Sequence, residues 1–284
     1  MKKVLSLILA VVLCLGCTFA FASCGGGETF VSKVGVQKGT TSEMYANILK
    51  GVKVASYDTF ALAANDMKNG NVDFVIVDKT TANALSSQIS GLKVIDNIPL
   101  SSENYGIGID PAQTALKGQI DAILENKAAE IQAIKDKYMN DDTDAFVGVT
   151  SAAKNVDNAA GQLVVATNAE FAPWEYASGA EDGGTVYYGI DMEIAKLIAD
   201  ELNMELVIED MAFDNVVGSV GKQGIDIAMS GITITAERLE VINFSNPYYT
   251  ESIVVVCKAD DTRFDSCGTV VDLLTIICVA SEEE

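Results

Sequence analysis

Short apolar runs separated by amphipathic stretches recur along the chain, the alternation expected of strands and helices laid in turn into an α/β fold. Residues 34–37, 52–57, 72–77 and 93–98 read as strands, with another over 105–109. Between them, 60–69 reads as a helix stopped by Gly70, and 79–87 as a second. Leu116, Ile120, Ile123, Leu124, Ile131 and Ile134 fall at helical spacing over 115–138, in one helix or two. Residues 140–162 are small, polar and weakly periodic, and read as a linker. The alternation then resumes, with strands at 163–167, 206–208 and 225–229, a helix over 192–202, and helices starting at Phe213 and near Thr235. The stretch 270–280 is apolar but too short to span a membrane.

Candidate chemistry concentrates in residues 226–249. The buried strand 225–229 breaks at Ser230-Gly231, small residues that leave backbone groups uncovered. Thr235 suits a helix N-cap, yet Arg238 then takes the third helical position, where the helix dipole favours an acid. Two readings fit: Arg238 grips an external carboxylate as a two-pronged donor, or it pairs with one of the chain's 40 acidic residues. Thr40 and Glu43 have capping-box spacing, which caps a helix and also leaves free amides able to hold an anion. Asp78 ends the strand 72–77, placed either to meet a cation in a crevice or to cap the next helix.

Composition narrows the classes. The 284 residues, 49% apolar and 21% charged, suit one large or two small globular domains. The net charge is −21, and without Lys2 and Lys3 it becomes 17 − 40 = −23, which argues against nucleic acid and adsorption to anionic lipid. Histidine is absent, so Ser-His-Asp triads, Cys-His pairs and imidazole metal sites are excluded; neither metal nor cofactor is expected. Residues 1–24 read as a secretory leader: Lys2-Lys3, an apolar run over 4–15, and Ala22-Ser23 before Cys24. An uncleaved anchor is the alternative, because the apolar stretch is near the minimum span. Cys257, Cys267 and Cys278 are odd in number and leave at least one thiol unpaired; they receive no function.

The run DIAMSGITITAERLEVINFSNPYY, residues 226–249, resembles the extracytoplasmic solute-binding proteins of polar amino acid ABC importers, family 3. The resemblance implies a two-lobed, type II periplasmic-binding-protein-like α/β fold that closes on a free L-amino acid. Ser230, Gly231, Thr233 and Arg238 would then hold its carboxylate and ammonium. VGVQKGTTSE, residues 34–43, resembles the opening of that family's second lobe, where Thr40 and Thr41 would bind the α-carboxylate, and Asp78 matches the acid that takes the ammonium. LVVATNAEFAPWEY, residues 163–176, resembles the start of the first lobe. There Asn168 would face the substrate side chain, Phe171 would stack on it, Trp174 would either join it or pack in the core, and Phe213 would roof the pocket. An uncharged Asn168 leans toward a polar neutral substrate.

The lobes are in inverted order, as a circular permutation or a trimmed tandem gene would leave them. A tether over 25–32 precedes a second-lobe-like part (33–104), then a return strand and closing helices packing on the first lobe (105–140). A linker (141–162) leads to a first-lobe-like part (163–258) and a tail (259–284), vestigial in this reading, in which 275–280 falls where a first strand would. Inversion implies that one crossing between lobes is cut, leaving only the segment near Tyr105, hence a loose hinge or a swapped dimer. The Phe-Ala-Ser-Cys ending resembles a lipoprotein signal, making Cys24 the lipidated residue, with Cys17 as an alternative. The protein would be held by lipid on the outer face of the cytoplasmic membrane, or be periplasmic, and serve the permease and ATPase of an importer. The alternatives are an enzyme on this scaffold, a dehydratase or lyase using Glu170 or Glu175, and a rearranged sensor or nonfunctional remnant.

Overall fold

A computed structural model describes residues 32–155, 161–180 and 183–278. The leader, Cys17, Cys24 and nearly all of the tether lie outside the described residues.

Local sequence dictates the first elements. β1 (Ser32–Gln37) leads to α1 (Thr41–Ile48), whose N-cap Thr40 accepts from the Glu43 amide at 3.2 Å. The Glu43 carboxylate returns to the Gly39 amide at 2.7 Å, so the predicted capping box forms with its return bond one residue early. β2 (Val52–Tyr57), α2 (Phe60–Lys68), β3 (Phe74–Asp78), α3 (Lys79–Gln88), β4 (Leu92–Ile95) and β5 (Ser101–Tyr105) follow. β6 (Gly108–Ile109) then enters a second sheet, and the helical stretch after it breaks at Lys127 into α4 (Thr114–Asn126) and α5 (Ala128–Met139).

The remaining elements are β7 (Gln162–Thr167), β8 (Glu170–Phe171), β9 (Glu175–Gly179), β10 (Thr185–Tyr188), α6 (Ile190–Glu201), β11 (Glu205–Asp210), α7 (Phe213–Ser219), β12 (Ile227–Ala228), α8 (Ala236–Leu239), β13 (Asn243–Phe244), β14 (Tyr249–Lys258) and α9 (Val270–Cys278). The first sheet runs β2-β1-β3-β14-β4, with β5 also paired to β14; the second runs β11-β7-β12-β6-β13. β1 is parallel to β2 and β3, and β7 is parallel to β11 and β12, so both sheets have the buried, apolar parallel centre that the unbroken apolar runs predict. A small sheet, β10-β9-β8, lies on the chain between β7 and α6. α5 packs beside α6 through the Glu193 carboxylate, which accepts from the Tyr138 hydroxyl at 2.6 Å and pairs with Lys137 at 2.5 Å. The residues read as linker are docked along 143–152: Val149 bridges Tyr187, and the Ala152 amide donates to the Leu206 carbonyl at 2.9 Å.

Two expectations fail here. The halves are joined covalently twice, through β5–β6 and through β13–β14, because β14 leaves the second half and inserts between β3 and β4 of the first sheet. Losing its continuation to Val34 does not cost β14 its partners. Ile253, Val254, Val255 and Val256 fill the slot, and Tyr249 pairs with Tyr105 where the two crossings run side by side. The tail holds no strand over the described part of 275–280. Thr269 caps α9 by accepting from the Asp272 amide at 3.2 Å, and Leu273 and Ile277, four apart, bury one face. α9 ends with the Cys278 carbonyl against Gly51, where an added Cβ would meet it at 2.8 Å; the next residue, Val52, pairs with Ser32. The two ends of the described chain are therefore neighbours in space.

Candidate functional site

Parallel strands leave their carboxyl ends open to whatever faces them. Gln37, Thr40, Thr41 and Asp78, at and after the ends of β1 and β3, face Phe171, Phe213, Ser230, Gly231, Thr233 and Arg238 from the second half, and together they line one cavity. Nine of the eleven residues expected to touch a ligand are in this lining. The cavity measures about 10 Å³, roughly the room of one water centre.

Arg238 is the cation of the site, and it is buried. Thr235 caps α8 as the sequence predicts, accepting from the Arg238 amide at 3.2 Å, but α8 is a single turn, so its dipole is weak. The guanidinium instead bridges the halves: Nη1 donates to the Thr233 carbonyl at 2.8 Å and Nη2 to the Gly39 carbonyl at 3.0 Å. It lies 5.8 Å from the Phe213 ring centroid. Burial pulls it below its ordinary pKa, opposed first by the charge of Glu103 and then by that of Asp78. It forms no ion pair with an acid among the described residues, and its hydrogen bonds there go to the two carbonyls.

Asp78 precedes α3 but makes no capping bond; its carboxylate turns to the cavity and accepts from the Tyr105 hydroxyl at 2.6 Å. Burial, then the Glu251 charge, push it up to about 8, while the Tyr105 bond opposes the shift. A carboxyl raised in the folded state keeps a proton that the unfolded chain releases between about pH 4 and 8, so its contribution to stability falls as pH rises through that window. The melting temperature of wild type should fall relative to that of Asp78→Asn between pH 5 and 8. Parallel melting curves would defeat the assignment. The comparison is needed because Asp191, Glu175 and Glu251 are raised as well.

The threonines are engaged by the protein. Thr40 donates to the Gln37 carbonyl at 2.7 Å, and Thr41 and Thr233 each donate to Glu103 Oε2 at 2.7 Å. Gly231 has φ +52, and a Cβ there would stand 2.7 Å from the Phe171 ring, so the sequence needs glycine to turn beneath the aromatic wall. Its amide donates to Asp191 Oδ2 at 2.8 Å, and Ser230 donates to Glu175 Oε1 at 2.7 Å. Glu175 is fully buried, its Oε2 has no hydrogen-bond partner among the described residues, and burial followed by the Asp191 charge holds its pKa well above the usual carboxylate range.

Two expected contacts lie behind the wall. Asn168 accepts from Gln37 Nε2 at 3.0 Å and donates to the Met211 carbonyl at 3.0 Å, tying the halves together outside the cavity lining. Trp174 is fully buried, edge-on to Tyr105 and Tyr249 with centroids 4.9 and 4.7 Å away, and its Nε1 donates to Thr80 Oγ1 at 2.8 Å. Gln37 and Glu103 were missed. Gln37 carried a usable signal as the last residue of a parallel strand, whereas Glu103 sits in SSENY, where alternation hides which side faces the cleft.

Residues 163–275 match the profile of the bacterial extracellular solute-binding proteins, family 3. Over 99 residues the chain is 32% identical to the arginine-binding extracellular protein of Bacillus subtilis (strain 168), covering 35% of this chain and 37% of that protein. Over 108 residues it is 33% identical to the cyclohexadienyl dehydratase of Pseudomonas aeruginosa, covering 37% and 38%. An amino acid ABC transporter substrate-binding protein from Streptococcus pneumoniae, solved with L-arginine, is 49% identical over 31% of this chain and 37% of its own, with a TM-score of 0.29. The chain thus spans little more than a third of the length of these relatives. Over residues 163–275 the chain is thus similar to the bacterial extracellular solute-binding proteins, family 3.

Proposed function

We propose that the protein captures a free L-amino acid between its two halves and presents it to the permease and ATPase of an ABC importer. The observation that carries this reading is the convergence of Thr40, Thr41 and Asp78 with Phe171, Phe213, Ser230, Gly231, Thr233 and Arg238 around one cavity, from segments far apart in the chain. Arg238 would receive the carboxylate, with Thr41 and Thr233 adding hydroxyls, and Asp78 the ammonium; Phe171 and Phe213 would flank the side chain. The buried Arg238 charge is costly without a counter-charge, and a ligand ammonium would favour the ionised form of Asp78, so a zwitterion that answers both is favoured over a ligand that answers one. Admitting an amino acid to so small a cavity would require the halves to part.

We also infer a permuted order of lobes, with lipid anchoring at Cys24 on the outer membrane face. The adjacency of Cys278 to the β1–β2 edge supports the permutation, because a short connection there would restore the usual order. The cleft draws both half-sites from one chain, which favours a monomer over the swapped dimer; light scattering showing a dimer that binds ligand would reverse this.

Calorimetric titration of the purified protein against the twenty L-amino acids tests the reading. Micromolar or tighter binding of at least one is expected, with the affinity strongly reduced in Asp78→Ala. A folded protein that binds none defeats it. A second, enzymatic reading is favoured by the dehydratase relative and by buried Glu175, a carboxyl with the raised pKa a general acid needs. Ser230 stands between Glu175 and the cavity lining, and Glu170 is exposed. Product formation in a screen of hydroxy and carboxylate substrates, lost in Glu175→Gln, would favour it.

A further inference from the structure

We propose that Glu103 is an internal competitor for the ligand carboxylate, holding the hydroxyl protons of Thr41 and Thr233 and yielding them when a ligand arrives. The inference rests on the receptor reading above. One oxygen of Glu103, Oε2, accepts from Thr41 in the first half and from Thr233 in the second, both at 2.7 Å. A threonine hydroxyl has a single proton. While Glu103 holds both, neither threonine can donate to another carboxylate, although both line the cavity. Oε1 has only a long contact to Ser101, 3.4 Å, so the bridge to the two threonines is what orients the side chain.

Its position suits that role. Glu103 lies on β5, one of the two crossings, opposite Glu251 on β14, so its backbone stays with the hinge while Thr41 and Thr233 move with their halves. Its charge is also the leading one acting on the Arg238 guanidinium, the cation that a ligand carboxylate would need. Two carboxylates cannot both hold these donors, and the internal one lowers the affinity for the external one. Glu103 is thus a positioning residue that acts through Thr41 and Thr233, and it sets how tightly an amino acid is held.

The test titrates wild type and Glu103→Gln against the twenty L-amino acids and, for the tightest binder, against the amine left by its decarboxylation. Glu103→Gln should bind the amino acid about tenfold more tightly, the scale of releasing hydroxyls from a charged acceptor, while the amine, lacking the carboxylate, gains nothing. A folded Glu103→Gln that binds the amino acid no better than wild type, or an equal gain for the amine, overturns the proposal. A crystal structure of wild type with the amino acid gives a second reading that needs no variant. Both hydroxyls should have turned from Glu103 to the ligand carboxylate, and their persistence on Glu103 overturns it. If wild type binds no amino acid the receptor reading itself fails, whereas binding without the Glu103 effect sinks only this inference.

Discussion

Arg238→Ala should lower amino-acid affinity by at least about 100-fold, the lower part of the range for removing one partner of a buried, hydrogen-bonded charge pair. Among the described residues the guanidinium is the only cation in the cavity lining, and Nη1 and Nη2 already reach one carbonyl from each half. With five N–H donors, it can keep both bonds and still offer a carboxylate the rest. Arg238→Lys should fail nearly as badly, because a single ammonium cannot span Thr233 and Gly39 and also present a two-pronged face. Stability should change far less than affinity, since the substitution also relieves the cost of burying a charge. Calorimetry beside a thermal melt checks both variants, and an alanine variant that binds within tenfold of wild type would remove Arg238 from the site.

Trp174→Ala should destabilise the protein by about 3–5 kcal/mol, the range for truncating a large buried aromatic. Its ring is fully buried, packed edge-on among Tyr105, Tyr248 and Tyr249, where the two crossings between the halves meet. Removing it opens a cavity at the point through which both sheets are tied. Trp174→Phe should cost much less, about 1 kcal/mol for the lost Nε1 bond to Thr80 plus a smaller repacking term. Denaturant midpoints decide the matter. A Trp174→Ala protein of unchanged stability but lost ligand affinity would put the indole back in the ligand site.

The expectation for Trp174 was divided between pocket and core because the local pattern is the same for both. An aromatic run after a strand end says that something large is covered, not whether ligand or protein covers it. Asp78 presented the same ambiguity between helix cap and cation receptor, and there the absence of a capping bond settles where the carboxylate points. For Thr40 the capping reading holds, and the residue also lines the cavity, where its expected contact with a carboxylate is a proposal. Gly231 and Ser230 line the cavity as expected, but their polar groups are taken up by Asp191, in the first turn of α6, and Glu175, at the start of β9, acids whose local sequence gave no hint of that partnership.

The sequence by itself determined the alternation of strands and helices, the capping box at Thr40 and Glu43 and the helical character of 115–138, and its resemblance to a known family named nearly the whole cavity lining. These depend on local steric and hydrogen-bonding preferences, or on motifs short enough to read within ten residues. Tertiary structure alone decided that β14 crosses into the first sheet, that 270–278 is helical, that Trp174 is core and that Glu103 bridges the two halves. Each of those depends on which partners lie across a sheet or a cleft. An apolar segment takes the slot where its side chains are buried and its backbone is paired, whatever the order in which the chain arrives there.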